Sequence, residues 1–409
     1  MAEAPEQRIA DVLVPRALVS DPAAFGGAVQ GDCLRGDLIL KAGQVAGLQA
    51  ATGKGSARLV LPKLVEPHVH LDKCHTIDRL ADVGGDLHAA IAEQWRDKQS
   101  WTAEDLRSRA TRGLKELEAA CCGTVRSHVD WSHGQDAMQV PVSWSVLLEC
   151  GQDSALDLQL SPLVGVEDFI QPGVAHFIAD QTAQAGAALG CFVNNQGRRA
   201  EGIRQAFIAA AEAGVPLDFH VDEGLEPGLD GLDLIADTAQ ELGFEHPILC
   251  GHACSLMNLH GDALHRLAEK CARVPITVCA LPTTNLYLQG RSDGTPDRRG
   301  ITRIKELQRA GVPVIIGTDN VRDAFCPIGR HDPLASLALA ALTAHLDPPT
   351  GDHLPMITTD AARALGRAPV FVDQAQARDL LISDAQSTSD LLAGSSPLTP
   401  LSTSIQGDT

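Results

Sequence analysis

The chain has 409 residues, enough for one large domain or two. Its 33 basic and 52 acidic side chains give a net charge of −19, and a field of that sign disfavours nucleic acid and anionic membranes as partners. Apolar runs stay well short of the roughly 20 residues that a membrane span needs. The first eight residues lack the basic and apolar segments of a secretory signal, so we expect a soluble, cytoplasmic protein.

Both ends of the chain predict short β-strands. Before residue 63, strand-like runs separated by glycine-rich turns lie at 9–14, 37–40, 44–48 and 58–61. Similar runs recur at 371–373 and 380–383. We expect residues 1–63 and 366–409 to form one small β-sandwich-like domain. From about residue 389 the chain is rich in Ser, Thr, Pro and Gly, which predicts a loose tail.

Between these ends, short apolar runs alternate with helical patterns eight times. The predicted strands lie at 63–70, 124–130, 156–164, 190–195, 216–222, 247–251, 275–280 and 313–318. The clearest helical patterns lie at 106–120, 200–213, 231–242, 261–272 and 302–310. Eight strand–helix units within residues 64–365 predict a (β/α)8 barrel of the TIM type, a fold that needs about 250 residues.

Ionisable residues cluster at the carboxyl ends of the predicted strands, where barrel enzymes carry their catalytic groups. His68 and His70 alternate with Val69, so both imidazoles face the barrel mouth. His220 ends the fifth strand, and Asp319 follows the eighth. One such histidine is most often an ordinary core or surface residue. Three imidazoles and a carboxylate together predict a site for one divalent metal ion, zinc, iron(II) or manganese, with a position open for water.

Several segments match a known pattern. They are Glu66-Pro-His-Val-His-Leu-Asp72, His220-Val-Asp-Glu223, Gly251-His252 and Gly317-Thr-Asp319. Two longer segments are more specific, namely Asn285-Leu-Tyr-Leu-Gln-Gly-Arg291 and Arg298-Arg-Gly-Ile-Thr-Arg-Ile-Lys-Glu306. Together they resemble the amidohydrolase superfamily, and within it the bacterial cytosine deaminases. The resemblance extends from about residue 60 to 365 and is thin in the terminal β segments.

The resemblance implies a role for each matching residue. The implied metal ligands are His68, His70, His220 and Asp319. Glu223 is implied as the acid/base carboxylate and His252 as the histidine beside the hydrolytic water, whose proton Asp319 accepts. A divalent metal ion lowers the pKa of water towards neutrality, and Glu223 is placed to protonate a ring nitrogen and then the leaving amine.

One metal ion is expected rather than two. Many amidohydrolases bridge two metal ions with a carbamylated lysine on the fourth strand. The present chain has no lysine between Lys115 and Lys270, so that bridge cannot form.

Two departures from the cytosine deaminases bear on the substrate. Leu163 stands where those enzymes have a glutamine that binds the pyrimidine amide edge, and Asn320 stands where they have a second aspartate. Leucine cannot form hydrogen bonds, whereas an asparagine amide both donates and accepts them. Asn194 and Asn195, after the fourth strand, are candidate replacements. We therefore expect an amino-substituted nitrogen heterocycle as substrate and poor turnover of cytosine itself.

The sequence thus predicts a metal-dependent hydrolytic deaminase that acts on a cytosine-like heterocycle and releases ammonia. An amidohydrolase acting on another ring is an alternative: isocytosine, an s-triazine or N-substituted ammelide, or a cyclic amide. His-Leu-Asp-Lys at residues 70–73 resembles the triazine-type enzymes. A third reading is a barrel scaffold that has lost its activity. Such a scaffold is expected to have lost metal ligands, whereas every implied ligand is present in this chain. The resemblance also leaves a homo-oligomer open.

Two charged pairs have no assigned role. Asp72 and Lys73 either face the pocket mouth or pair with each other. Arg198 and Arg199 either bind an acidic substituent of the substrate or begin a solvated helix, and the second reading is the commoner one for such a pair.

Overall fold

The computed structural model describes residues 6–53, 56–131 and 136–403. Five strands precede the barrel: β1 (Glu6–Pro15), β2 (Ala28–Gln30), β3 (Cys33–Lys41), β4 (Gln44–Gln49) and β5 (Arg58–Pro62). A short helix, α1 (Pro22–Phe25), lies between β1 and β2. Each of the four strands predicted before residue 63 falls within one of these elements.

The barrel strands are β6 (Leu64–Val69), β7 (Cys122–Asp130), β8 (Asp157–Gly165), β9 (Leu189–Val193), β10 (Leu217–Val221), β11 (Ile248–His252), β12 (Ile276–Ala280) and β13 (Val314–Ile316). They form an eight-stranded parallel sheet in which each strand pairs with its neighbours in sequence. All eight predicted strands are therefore found, and the predicted TIM-type barrel is confirmed.

Each barrel strand is followed by at least one helix. The helices are α2 (Leu87–Lys98), α3 (Ala103–Ala119), α4 (Val142–Gln152), α5 (Val174–Gln184), α6 (Arg199–Ala213), α7 (Gly231–Leu242), α8 (Gly261–Cys271), α9 (Pro282–Leu288), α10 (Ile304–Arg309), α11 (Pro333–Ala344) and α12 (Thr359–Ala364). Two helices, α2 and α3, follow the first strand. The extra helix α2 has the greatest consequence for the site, because it lies over the barrel mouth.

The contacts that close the barrel involve two of the predicted metal ligands, His68 and Asp319. Val69 of β6 pairs in parallel with Asp319, just beyond β13. The Asp319 N–H donates to the His68 carbonyl over 2.8 Å. Glu66 accepts from the backbone N–H of His68 at 2.9 Å and of Thr318 at 3.2 Å. The first and last strands are thus fixed to each other at the position where the sequence predicts the metal.

The chain returns to the small domain after the barrel, in β14 (Leu380–Ser383), α13 (Thr388–Leu392) and β15 (Thr399–Pro400). A mixed seven-stranded sheet results, in the order β15-β14-β5-β1-β3-β2 with β4 also paired to β3. The predicted domain built from both chain ends is confirmed. Its described strands belong to one hydrogen-bonded sheet, whereas the sequence predicted a β-sandwich-like arrangement.

Two predictions near the carboxyl end need correction. Residues 371–373 were expected as a strand, but Val372–Gln374 forms a 3-10 helix. The tail predicted from about residue 389 is ordered structure as far as β15, because β15 pairs with β14 and Leu391 and Leu401 are fully buried. Residues 404–409 of that tail, and residues 1–5 of the segment compared with a secretory signal, lie outside the described residues.

All eleven cysteines are within the described ranges, and each is a free, buried thiol. Within the same ranges, every helix is either too short or too polar to cross a bilayer.

Candidate active site

Four side chains of the predicted ligand set meet at the carboxyl end of the barrel. The His70 Nε2 lies 3.2 Å from the His220 Nε2 and 3.2 Å from the Asp319 Oδ1. The His68 Nε2 lies 3.6 Å from that same Asp319 oxygen. Zinc binds nitrogen and oxygen donors at about 2.0–2.2 Å, so two donors of one ion lie roughly 3–3.5 Å apart. These three distances are close to that spacing. Ring nitrogens of His68, His70, His128 and His220 lie within 4.8 Å of one another, and Asp319 forms a second such group with His68 and His252, so the described residues could hold a metal ion.

The chemistry of the donors fits a metal as well. Among the described residues, the two carboxylate oxygens of Asp319 have no hydrogen-bond partner. The two ring nitrogens of His68 also have none, although both side chains are fully buried. Burial lowers the pKa of His70 to about 3 and holds the pKa of His68 and of His220 well below the usual value. Neutral imidazoles beside an unpaired buried carboxylate are what a divalent cation needs.

A fourth histidine, His128 of β7, joins this cluster without having been assigned a role from the sequence. Its ring centroid lies 4.0 Å from that of His68 and 4.5 Å from that of His220. Its Nε2 lies 3.0 Å from the Asp218 Oδ1, and the other oxygen of Asp218 accepts from Arg126 at 2.9 Å. His128 therefore packs under the predicted ligands and faces a buried carboxylate. The sequence signal that could have identified His128 is its position at the end of a predicted strand, two residues before Asp130.

Glu223 and His252 stand beside the ligand set. The His252 Nε2 lies 3.6 Å from the Glu223 Oε2 and has no hydrogen-bond partner in the described structure. Burial raises the pKa of Glu223 to about 7, while the neighbouring His252 acts in the opposite direction. A carboxyl group with a pKa near 7 exchanges a proton readily at neutral pH, as general acid–base catalysis requires.

The segment that carries the specific resemblance fixes both of these residues. The Asn285 Oδ1 lies 3.0 Å from the His252 Nδ1, so Asn285 holds that side of the ring and Nε2 faces the site. Gln289 donates from its Nε2 to the Glu223 carbonyl over 3.3 Å. Gly290 has φ +66°, and a Cβ there would lie 1.5 Å from the Arg298 carbonyl oxygen, so the two specific segments touch at this glycine. The sequence identified these segments but not their roles.

Three residues at the strand ends have left-handed backbone conformations. They are Asp222 at φ 52°, His252 at φ 69° and Asp319 at φ 64°. Such conformations are uncommon for residues other than glycine, cost about 1–3 kcal/mol, and cluster at functional sites. Asp222 also accepts from the N–H groups of Gly231 at 2.9 Å and Leu232 at 3.1 Å, which ties the end of β10 to the start of α7. Of these three residues, His252 and Asp319 line the pocket, and Asp222 directly precedes Glu223.

An apolar pocket of about 780 Å³, measured out to its mouth, opens over the cluster. Its walls are formed mainly by apolar and aromatic side chains, namely Leu87, Ile91, Trp95, Leu163, Phe192 and Phe325. His70, His220, Glu223, His252 and Asp319 form the polar end. A flat ring lying between the apolar walls would present one edge to these groups.

The predicted substrate residues differ in their placement. Leu163, Asn194 and Asn320 line the pocket, whereas Asn195, in the bend that follows β9, is exposed and does not. The Asn194 Oδ1 accepts from the Glu223 N–H at 3.1 Å, so this amide holds the backbone of Glu223. Asn320 donates from its Nδ2 to Asp323 over 2.6 Å.

The structure also places the two charged pairs to which the sequence assigned no role. Lys73 lines the pocket and pairs with Asp130 at 2.9 Å rather than with Asp72. Asp72 is fully buried and accepts from the Asp130 N–H at 2.9 Å. Arg198 is exposed and pairs with Glu201, and Arg199 pairs with Asp230 at 2.7 Å, which is the geometry of a solvated helix start.

Known proteins resemble this chain in sequence and in fold. The model of the amidohydrolase family matches residues 92–369. A pterin deaminase from Rhizobium rhizogenes is 30% identical over 341 residues, which cover 82% of this chain and 77% of that protein. The structure of 5-methylcytosine deaminase from Klebsiella pneumoniae liganded with phosphonocytosine superimposes with a TM-score of 0.77 at 25% identity, covering 96% of this chain and 95% of the other.

A third similarity concerns the fold alone. N-isopropylammelide isopropylaminohydrolase from Burkholderia multivorans has a TM-score of 0.72 at 21% identity, with 96% of this chain and 97% of that one covered. The family match spans well over half of the chain, and it includes every barrel strand after the first. By this match, and by the barrel that carries it, the chain belongs to the amidohydrolase family.

Proposed function

We propose that this protein is a metal-dependent hydrolytic deaminase of an amino-substituted nitrogen heterocycle, with a 2-amino-4-oxo ring of the pterin type as its substrate. The observation that carries the proposal is the group of Glu223 and His252 beside neutral imidazoles and the unpaired carboxylate of Asp319, at the end of a pocket with apolar walls. Similarity to a pterin deaminase over 82% of the chain supports the substrate class.

The residues of the chain divide the work of deamination. His68, His70, His220 and Asp319 would hold one divalent metal ion, which supplies a water of lowered pKa at neutral pH. Glu223 carries a proton to a ring nitrogen and afterwards to the departing amine, a use that its pKa of about 7 permits. His252 orients the attacking water, whose proton Asp319 accepts, while Asn285 holds the opposite side of the His252 ring. The apolar walls exclude other water from the ring.

Cytosine itself is a weaker candidate. Leu163 lines the pocket and cannot form a hydrogen bond with an amide edge at that position. An unpaired buried polar group costs roughly 1–3 kcal/mol, so we expect turnover of cytosine about 5- to 150-fold below that of a well-matched ring. A fused ring also makes more contact with the apolar walls than a single pyrimidine.

Ammonia release from a panel of rings tests the proposal. The panel contains pterin, guanine, cytosine, 5-methylcytosine, isocytosine and an N-substituted ammelide, each with protein reconstituted with zinc, iron(II) or manganese. We expect the highest kcat/KM for pterin. Highest activity with the ammelide would move the protein to the triazine-type enzymes. An intact metal site without activity on any ring would favour the catalytically inactive scaffold.

A further inference from the structure

One buried amide in the pocket has no partner. Gln94, on α2, is 3% exposed, and among the described residues neither its Nε2 nor its Oε1 has a hydrogen-bond partner. The side chain lines the same pocket as Glu223 and Leu163. Buried polar groups in folded proteins are almost always hydrogen-bonded, and an amide with neither of its polar atoms paired calls for an explanation. A ligand that is absent from the free protein is such an explanation.

The helix that carries Gln94 presents one continuous face to the pocket. Leu87, Ile91, Gln94, Trp95 and Lys98 all line the pocket, with the spacing of one helical face. Within this stripe, Gln94 is the member with an uncharged carboxamide. It is buried beside the apolar side chains of Ile91 and Trp95, and burial raises the value of a hydrogen bond to a ligand.

Other contacts fix α2 in place, so the position of Gln94 does not depend on its own amide. Asp86 caps the helix by accepting from the Ala89 N–H at 3.0 Å. Glu93 accepts from the Ala81 N–H at 2.8 Å, and Asp97 binds Arg79 at 2.6 Å. These bonds hold the helix by groups other than those that face the pocket. The amide of Gln94 is consequently available in a defined place.

A primary carboxamide is complementary to a cyclic amide. Its N–H donates to the ring carbonyl while its oxygen accepts from the ring N–H, so the two groups form a matched pair of hydrogen bonds. We propose that Gln94 binds the lactam edge of the heterocyclic substrate and thereby takes the place of the amide that is missing at Leu163. The specificity for an amino-oxo ring is then provided by α2 at the pocket mouth as well as by the strand ends. The inference rests on the proposed deaminase function and adds to it a specificity-determining residue.

The test compares Gln94→Leu, and Gln94→Met as a second apolar variant, with Gln184→Leu at an exposed position of α5. In the holoenzyme with pterin as substrate, we expect either Gln94 variant to lower kcat/KM by about 10- to 150-fold, and the affinity for the deaminated product by a similar factor. The Gln184→Leu control should stay within twofold of the wild type. Thermal unfolding without ligand should show a Tm raised by about 1–3 °C in Gln94→Leu, because an unpaired buried amide has been replaced by an apolar group.

A substrate analogue separates recognition from a general effect on the fold. A pterin methylated on the lactam nitrogen lacks the N–H that the Gln94 oxygen would accept. The wild type should lose at least tenfold in kcat/KM on this methylation, whereas Gln94→Leu should lose less than about threefold. Adding Leu163→Gln to Gln94→Leu should recover part of the lost kcat/KM.

Each contrary result has a distinct meaning. Equal losses on methylation in the wild type and in Gln94→Leu would overturn the assignment, and so would a kcat/KM for Gln94→Leu within threefold of the wild type. In either case, a wild type that still deaminates pterin leaves the proposed function intact. A wild type that deaminates no ring of the panel would instead refute the proposed function.

Discussion

Glu223 is the residue whose environment most clearly suits a proton-transfer role. It is 12% exposed, lies 3.6 Å from His252, and has its backbone held by Asn194 and Gln289. Replacing it with glutamine keeps the shape of the side chain and removes its ability to take up and release a proton. We expect Glu223→Gln to lower kcat by about 100-fold or more, on the usual scale of acid–base catalysis, with metal content unchanged.

Steady-state rates of ammonia release, together with elemental analysis of the same samples, check this expectation. Turnover close to that of the wild type would remove Glu223 from the mechanism. A variant that lost both its metal and its activity would place Glu223 among the groups that maintain the metal site.

Variants of the predicted metal ligands, unlike Glu223→Gln, should lose the metal together with the activity. His220→Ala removes a nitrogen that lies 3.2 Å from that of His70, and His68→Ala removes one facing Asp319. Each change removes one donor nitrogen from the predicted metal site, so we expect less than a tenth of the wild-type metal content and no measurable turnover. His176→Ala, at an exposed histidine on α5, is the matched control. Full metal occupancy in the His220 or His68 variant would show that the ligand set is wrong.

At the scale of the elements, the barrel interior carries a buried ion pair that joins three strands. Arg126 of β7 donates to Asp218 of β10 at 2.9 Å and to Gln159 of β8 at 2.9 Å. Burial alone would raise the pKa of Asp218, but the charges of His128 and Arg126 outweigh it and hold that pKa below its usual value. The group therefore stabilises the fold above pH 4, and this contribution is lost as the pH falls through the lowered pKa.

Removal of this carboxylate should be costly. Asp218→Ala leaves Arg126 as an uncompensated buried charge, for which we expect a loss of about 3–5 kcal/mol in the free energy of unfolding. Urea denaturation at pH 7 with a chelator present measures the loss without a metal contribution. Glu241→Ala, which breaks an exposed pair with Arg204, should cost no more than about 1 kcal/mol. Similar losses in the two variants would contradict the structural role given to the buried pair.

At the scale of the whole molecule, the small domain depends on both ends of the chain. β14 lies between β15 and β5, and Leu380, Leu381 and Ile382 on β14 are buried. A chain that ends at residue 379 would leave β5 as an unpaired apolar edge, which is prone to aggregation. Three buried aliphatic side chains contribute roughly 1.5–3 kcal/mol each, so the loss is several kcal/mol.

We therefore expect the chain that ends at residue 379 to have a much lower soluble yield and a Tm at least 5 °C below that of the full chain. A chain that ends at residue 403 keeps β15 and serves as the control, with the yield and Tm of the full protein. Equal behaviour of the two shortened chains would mean that β14 contributes little to the fold.

The barrel and the predicted ligands were accessible from the sequence because both depend on local patterns. Eight apolar runs followed by helical periodicity define the strand–helix units, and the alternation of His68 with His70 puts both rings on one face. That alternation does not reach Asn194 and Asn195, because β9 ends at Val193 and both residues lie in the bend that follows it. Strand boundaries are set by pairing with neighbours, so the sequence alone left both residues as candidates.

What only the tertiary structure decided involves contacts between distant elements. His128 meets Asp218, 90 residues further along the chain, and α2 brings Gln94 into a pocket whose other walls belong to different strands. No periodicity in a single segment encodes such an encounter, because it depends on how the closed barrel brings separate strand ends together and which helix covers its mouth. The sequence by itself determined the fold and the family, whereas packing determined which side chains line the pocket.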